Sequence, residues 1–434
     1  MMKYTPHTQQ DVREMLDKIG VDDISDLFAA IGTASGEGLR AIGKSPIETE
    51  RAMVALAEKN KVYKTVFLGA GAYRHYIPPV VKHIAANPRF VTAYTPYQPE
   101  MSQGILQAIF EYQSCITRLT GLDVSNASMY DGAAAAAEAV AMCINGEKDI
   151  LVSDGVNPAV REVVAAYLRG SGRTAVSVPL DEDGLTDIGF LEGYGERAAC
   201  CLVQQPNYYG NIERTKEIGA VLNRTDVKYI LHTYPIALGL LASPAEVGAD
   251  FATGEGQPLG MPLSFGGPYL GYIAAKEKYV RKMTGRIVGE TTDRDGRRVY
   301  VLTLQAREQH IRREKASSSI CSNEALCALT AAVYLGAVGK EGFRAVARAC
   351  VDNAHYLKEV LESAGLKTRY STAEFFNEFV TVSDKKSSVI LNELKRRGIL
   401  GGLKLSDGEI LWCATEMNTK EEIETVGNIV RKLL

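Results

Sequence analysis

The feature that most constrains the fold is an alternation of short apolar strands with helices between residues 126 and 275. The predicted strands are Asn126–Tyr130, Asp149–Ser153, Thr174–Val178, Ala199–Gln204, Lys228–Thr233, Ala249–Ala252 and Gly271–Ala275. Helices are predicted after Asp131-Gly132, after Asn157-Pro158 and over Ile212–Leu222. Such alternation predicts a mostly parallel α/β sheet with helices on both faces and a ligand site at the carboxyl ends of its strands.

The segments on either side of this alternation differ from it. Residues 1–62 are predicted to form a helical arm, in which Thr8 and Ser45 are helix caps. Residues 90–100 hold Pro96 and Pro99 and predict an extended loop, a hairpin is predicted between residues 286 and 304, and helices are predicted from Ser322 to Ala337 and from Phe343 to Ala364. We predict three domains: a helical arm at 1–62, a large α/β domain at 63–330 and a small α/β domain at 331–434.

The last two predicted strands are joined by a long glycine-rich loop. Seven glycines lie between Gly248 and Gly271, and the loop ends in Gly266-Gly267-Pro268. Glycine at this density allows the backbone to approach a ligand or another backbone closely. The stretch from Tyr229 to Ala275 contains no Lys and no Arg.

Four groups of residues are candidates for a site. The turn Asp131-Gly132 can hold a phosphate at a helix N-terminus, or it is an ordinary tight turn. The loop Tyr94-Thr95-Pro96-Tyr97-Gln98 suits a binding site or interface, or packs on its own domain. His232, at the end of a buried strand, is a core histidine or a catalyst. The charged run 307–315 is a solvated helix face, or its arginines bind a carboxylate or a partner protein.

Composition excludes several classes of protein. A net charge of −3 argues against nucleic-acid binding, which favours a basic surface. No apolar run approaches the roughly 20 residues of a membrane span, and the polar N-terminus indicates a cytoplasmic location. The eight cysteines show no metal-ligand spacing and are expected to be reduced residues of the core, with no bound metal.

Several blocks of the sequence resemble one family. The chain is similar to the fold-type-I pyridoxal-phosphate (PLP) enzymes, and more narrowly to the glycine cleavage system P-protein, in the first (α) subunit of its split two-subunit form. The matching blocks are 67–73 (FLGAGAY), 94–100 (YTPYQPE), 126–132 (NASMYDG), 254–260 (GEGQPLG), 263–271 (LSFGGPYLG) and 312–316 (RREKA).

The resemblance also explains the missing lysine. A fold-type-I enzyme carries PLP as a Schiff base on a lysine between two late strands and uses an aspartate to keep the pyridine nitrogen protonated. The resemblance places the lysine position near Pro258 and the aspartate position near His232. Proline cannot form a Schiff base, and histidine does not stabilise a protonated pyridine nitrogen as a carboxylate does. It therefore implies that this chain binds no PLP covalently and is catalytically incomplete. Asp131 and Gly132 would mark its own former phosphate turn.

The same resemblance implies a partner and a set of residues that serve it. A PLP-bearing second subunit, in a heterotetramer of two of each subunit, would decarboxylate glycine and pass the aminomethyl group to the lipoyl arm of H-protein. Residues of this chain would complete the partner's active site at the interface. The candidates are Tyr94, Thr95, Tyr97, Gln98, Gly266, Gly267 and Pro268. Two alternatives remain: a self-sufficient PLP enzyme, such as an aminotransferase or decarboxylase, with its lysine elsewhere, and a regulatory protein without catalysis.

Overall fold

The computed structural model describes residues 6–31, 43–93, 96–305, 308–316, 318–320 and 322–434. The chain divides into two units, Met1–Val62 and Tyr63–Leu434. The helices are α1 (Gln9–Ile19), α2 (Pro46–Ala57), α3 (Pro79–Ala85), α4 (Pro88–Val91), α5 (Gln103–Thr120), α6 (Gly132–Cys143), α7 (Pro158–Gly170), α8 (Ile188–Tyr194), α9 (Thr215–Leu222), α10 (Gln309–Arg312), α11 (Ala325–Ser363), α12 (Ser387–Arg396) and α13 (Lys420–Leu433).

The strands are β1 (Thr65–Val66), β2 (Val124–Ser125), β3 (Asp149–Ser153), β4 (Ala175–Val178), β5 (Ala198–Gln205), β6 (Lys228–Thr233), β7 (Phe251–Glu255), β8 (Gly271–Ala275), β9 (Val288–Thr292), β10 (Arg298–Leu302), β11 (Lys367–Thr368), β12 (Glu378–Val382), β13 (Ile399–Leu400), β14 (Leu403–Lys404) and β15 (Glu409–Cys413). In the first unit, Thr8 and Ser45 cap α1 and α2 as predicted, each in a reciprocal capping box.

The second unit is built around a seven-stranded sheet in the order β2-β8-β7-β6-β5-β3-β4. Strands β3 to β7 run parallel, while β8 and β2 are antiparallel to their neighbours. The inner strands are almost wholly buried, as β5 (AACCLVQQ) and β6 (KYILHT) illustrate, because helices cover both faces of a parallel sheet. The predicted mostly parallel α/β sheet is confirmed.

Three local predictions were wrong. The expected strand Asn126–Tyr130 is broken because Ser128 has a φ of 135°, and only Met129 makes a bridge, to Gly271. The start of the expected extended loop is helical over α4, because the Asn87 side chain caps it and Pro88 fits its first turn. The two helices expected between residues 322 and 364 form the single helix α11, kinked at Gly339.

The C-terminal part forms a second core on an antiparallel sheet in the order β11-β12-β15-β14. Its buried residues include Trp412, whose indole N–H donates to Thr381 Oγ1 at 2.8 Å. Strand β1 pairs with β13, and Phe67 packs in this C-terminal core. Helix α11 runs through residue 330, so the boundary proposed there remains a prediction.

Helix α11 is also the one helix among the described residues that is long and apolar enough to cross a membrane by length and composition. This is weak evidence, because the core helices of soluble proteins pass the same test. Its buried residues belong to three of the hydrophobic cores of the chain.

Candidate functional site

A cavity of about 310 Å³ lies where the carboxyl ends of β5, β6 and β7 meet the N-terminal ends of α6 and α7. This is the position at which parallel α/β sheets bind ligands. Its lining residues are Ala70–Tyr73, Asp131–Ala133, Asn157, Ala159, Val160, Gln204, His232–Tyr234, Glu255 and Tyr269. No Lys or Arg is among these residues, so its described lining carries no amine and no guanidinium.

The predicted phosphate turn forms one end of the cavity. Asp131 caps α6 by accepting a hydrogen bond from Ala134 N at 2.7 Å. Gly132 N donates to the carboxylate of Glu255, at 2.9 Å from Oε2. A Cβ on Gly132 would lie 2.7 Å from Glu255 N, so glycine is required by the close approach of β7. The helix N-terminus is thus already occupied by carboxylates of the same chain.

His232 lies in the floor of the cavity, 7% exposed. Its Nδ1 is 3.0 Å from Thr253 Oγ1, on the neighbouring strand. Burial lowers the pKa of His232 to about 4, so the imidazole is neutral at pH 7. A neutral imidazole gives a pyridinium nitrogen none of the charge stabilisation that a carboxylate would give.

Gln257 and Pro258 occupy the turn that follows β7. Gln257 holds the loop over the cavity in place, since its Nε2 donates to Tyr73 O at 3.0 Å and its Oε1 accepts from Tyr73 N at 3.0 Å. It also donates to Met261 O at 2.8 Å. Pro258 is buried in this turn and does not line the cavity. The turn is a structural clamp in this chain.

The same loop is tied to the C-terminal sheet by a buried carboxyl group. Glu378, on β12, accepts from Ala70 N and from Tyr73 Oη, both at 2.6 Å. Burial raises the pKa of Glu378 to about 7, although these two hydrogen bonds oppose the shift. The loop 70–73, which lines the cavity, is therefore held in place by a residue more than 300 positions later in the sequence.

A second polar cluster lies behind Tyr234. His75 Nδ1 is 2.8 Å from Glu416 Oε2, and its Nε2 is 2.5 Å from Tyr234 Oη. The Cys350 thiol is 3.4 Å from the same carboxylate oxygen of Glu416. The donor atoms of His75, Cys350 and Glu416 are close enough to hold a metal ion. Because both imidazole nitrogens already have partners, we interpret the cluster as a hydrogen-bond network that joins two layers.

The loop predicted to serve a partner, Gly266-Gly267-Pro268, lies outside the lining of the cavity. Four successive residues before Pro268 have positive φ angles, among them Phe265 at 56° and Gly267 at 148°. The Phe265 side chain is 98% exposed. The loop therefore projects an apolar ring away from the body of the chain.

Tyr97 lines a different cavity, of about 490 Å³, together with Phe90, Asn323, Leu326 and neighbouring residues. Tyr97 Oη donates to Asn323 Oδ1 at 2.5 Å and accepts from Asn323 N at 3.1 Å. The Arg286 guanidinium lies 4.6 Å from the centroid of its ring. Gln98 is exposed. Tyr94 and Thr95 lie outside the described residues.

Part of the charged run 307–315 is buried. Arg286 and Glu308 form a buried ion pair, and α10 follows directly after Glu308. In place of one solvated helix, the described part of the run forms two short helical turns, Gln309–Arg312 and Arg313–Lys315, and Glu308 directly before them faces inward. Whether this segment contacts a partner remains a prediction.

Several cavity residues were missed from the sequence, among them Glu255, Tyr234 and Asn157. Asn157 Nδ2 donates to Ala70 O at 3.1 Å, and its backbone N–H donates to Gln204 Oε1 at 2.8 Å. One signal could have found Glu255, because it ends a central strand at the edge where ligands bind.

Known proteins resemble this chain over its full length. The family model for the glycine cleavage system P-protein matches residues 2–430. "Probable glycine dehydrogenase (decarboxylating) subunit 1" of Desulforamulus reducens is 48% identical over 445 aligned positions, which cover 98% of each chain. The protein of the same name from Moorella thermoacetica is 47% identical and covers 100% of both chains.

Solved structures agree. A crystal structure of glycine decarboxylase (P-protein) of the glycine cleavage system, in inhibitor-bound form, superposes with a TM-score of 0.86 at 40% identity over 100% of both chains. A NifS-like protein and an aspartate aminotransferase from Thermus thermophilus, each 13% identical, superpose with TM-scores of 0.63 and 0.61. At this identity they bear on the fold alone, and with the P-protein structure they confirm the predicted PLP fold-type-I fold. This chain belongs to the glycine cleavage system P-protein family.

Proposed function

We propose that this chain is subunit 1 of a two-subunit glycine dehydrogenase (decarboxylating), an oxidoreductase of the glycine cleavage system. Together with a PLP-bearing second subunit it decarboxylates glycine and transfers the aminomethyl group to the lipoyl arm of H-protein. The relatives called subunit 1 support this interpretation, because they match this chain from end to end and their name implies a second subunit.

The observation that supports the proposal is the chemistry of the residues in and around the strand-end cavity. PLP needs an amine for its aldehyde, a carboxylate for its pyridine nitrogen and free N–H donors for its phosphate. Pro258 has no amine, His232 is neutral, and Glu255 accepts from the N–H at the turn. These residues do not fit the cofactor, so we assign PLP to the partner subunit and derive no chemical step in this cavity.

The contribution of this chain to the partner's site is proposed to come from Tyr97, Gln98 and the loop Gly266-Gly267-Pro268. The exposure of Phe265 beside these glycines supports a role for the loop at an interface. Tyr94 and Thr95 belong to the same proposal on sequence grounds alone. The self-sufficient enzyme remains the alternative that the first experiment must exclude.

The experiment measures glycine–bicarbonate exchange with H-protein, and cofactor content, for this chain alone and for its mixture with the second subunit. We expect bound cofactor only when the second subunit is present, and exchange only when both subunits are present. Lysine-bound cofactor or exchange in this chain alone would contradict the proposal and favour a self-sufficient enzyme. A stable mixture without exchange would favour the regulatory alternative.

Tyr97→Phe tests the proposed interface residues. We expect the exchange rate of the assembled complex to fall about two- to tenfold, because one lost hydrogen bond is worth about 0.5–1.5 kcal/mol and tenfold in rate corresponds to about 1.4 kcal/mol. Assembly, followed by gel filtration, should be unchanged. The control is Tyr76→Phe, which alters a ring that is 57% exposed. An unchanged exchange rate would mean that Tyr97 is not one of the residues that complete the partner's active site.

A further inference from the structure

The carboxylate of Glu255 occupies a set of backbone donors that proteins ordinarily offer to a bound anion. Its Oε2 accepts from Gly132 N at 2.9 Å, at the start of α6. Its Oε1 accepts from Gln257 N at 2.9 Å and from Leu270 N at 3.0 Å. The donors come from three separate segments: a helix N-terminus, the turn after β7 and the residue before β8.

Backbone N–H groups that converge at a helix N-terminus form the usual phosphate site of α/β proteins. Here the α6 helix has twelve residues, and its first turn donates to Glu255 through Gly132 and to Asp131 through Ala134. A phosphate at this point would have to displace the Glu255 carboxylate and lie beside that of Asp131. The negative charges of the phosphate and of the Asp131 carboxylate would repel each other strongly in a buried site of low dielectric constant.

Glu255 has little freedom to move aside. It is the last residue of β7, and its backbone packs so closely against α6 that an added Cβ on Gly132 would lie 2.9 Å from Glu255 Cα. Gly256 N donates to Leu270 O at 2.6 Å, which fixes the backbone directly after it. Burial raises the pKa of Glu255, while the three backbone donors favour its charged form.

We propose that Glu255 is a built-in anion that takes the place of a phosphate at the N-terminus of α6 and excludes phosphate-bearing ligands, PLP among them, from the cavity of this chain. The inference goes beyond the proposed function, because it concerns ligands that this chain does not bind rather than what the assembled enzyme does. Its test uses this chain without the second subunit, so failure of the proposed function and failure of this inference are distinguishable.

The test measures binding of inorganic phosphate and of pyridoxine 5′-phosphate to the full chain by calorimetry. Pyridoxine 5′-phosphate has no aldehyde and cannot react with surface lysines, and pyridoxine without its phosphate is the matched ligand control. We expect Glu255→Ala to bind both phosphates at least about tenfold more tightly than the unmodified chain, since charge-assisted bonds to the freed N–H groups are worth about 1.5–3 kcal/mol. Pyridoxine should bind no better.

Glu255→Gln removes the charge and keeps the shape, and we expect a smaller gain than for Glu255→Ala. The control variant is Glu246→Ala, which removes an exposed carboxylate that accepts from Ser243 N elsewhere in the fold and should change nothing. The unmodified chain should show no rise in thermal midpoint with pyridoxine 5′-phosphate. Such a rise, or a folded Glu255→Ala variant without increased affinity for phosphate, would overturn the inference. If Glu255→Ala does not fold, the same criterion applies to Glu255→Gln.

Discussion

Replacing Gly132 by Ala is expected to lower the free energy of unfolding by about 2–3 kcal/mol, a cost typical of inserting a methyl group where no space exists. The added Cβ would lie 2.7 Å from Glu255 N and 2.9 Å from Glu255 Cα. These are backbone atoms of an inner strand, so neither can turn away as a flexible side chain would. Either α6 or β7 must shift, and the hydrogen bond from Gly132 N to Glu255 is stretched as it does so.

The matched control for this substitution is Gly193→Ala. Gly193 lies within α8, is exposed, and has no atom within 4 Å of an added Cβ. Alanine there should stabilise the chain by up to about 1 kcal/mol through its higher helix propensity. Thermal and urea unfolding of both variants would check the pair. Equal stability of Gly132→Ala and the unmodified chain would mean that α6 and β7 are not held as closely as described.

The central sheet was predictable because short stretches of sequence are enough to identify its strands. Strands β3, β4 and β5 are short, mostly apolar runs, each followed by a loop and a helix, so their type and direction follow from the hydrophobic pattern. The pairing of β1 with β13 was not predictable, because each strand has two residues and more than 300 positions separate them. No periodicity can be read from two residues. The same applies to Phe67, which packs in a core formed mainly by residues after 350.

Some residues of the candidate site were also predictable from local sequence, and others were not. The turn at Asp131-Gly132 and the burial of His232 followed from their places at the ends of apolar strands. The role of Glu255 did not, because its three donors are contributed by Gly132, Gln257 and Leu270, and only the folded sheet brings the first of these near it. A glutamate in a sequence is usually solvated, and the position of Glu255 at a strand end does not reveal which N–H groups it binds. Long-range hydrogen bonds, rather than residue types, distinguish the site from an ordinary strand end.

Glu378 is expected to make the stability of the chain depend on pH. Its pKa is raised by burial from an ordinary value of 4.5 to about 7 in the folded chain. The folded state therefore binds this proton more tightly than the unfolded state does. The stabilisation is complete below pH 4.5 and is lost as the pH rises through 7, and a difference of about 2.5 units corresponds to about 3 kcal/mol.

Glu378→Gln removes this titration, because the amide is neutral at every pH in that range. Its oxygen can still accept from Ala70 N, so the fold should be retained with a loss at pH 5 of about 1 kcal/mol, as for one altered hydrogen bond. Between pH 5 and pH 8, the free energy of unfolding of the unmodified chain should fall by about 2.5 kcal/mol relative to that of the variant. Burial also raises the pKa of Glu213 to about 7. Glu213 therefore contributes the same pH dependence of stability to both proteins. Urea unfolding at several pH values measures the difference directly, and parallel curves for the two proteins would show that Glu378 titrates alike in the folded and unfolded chain.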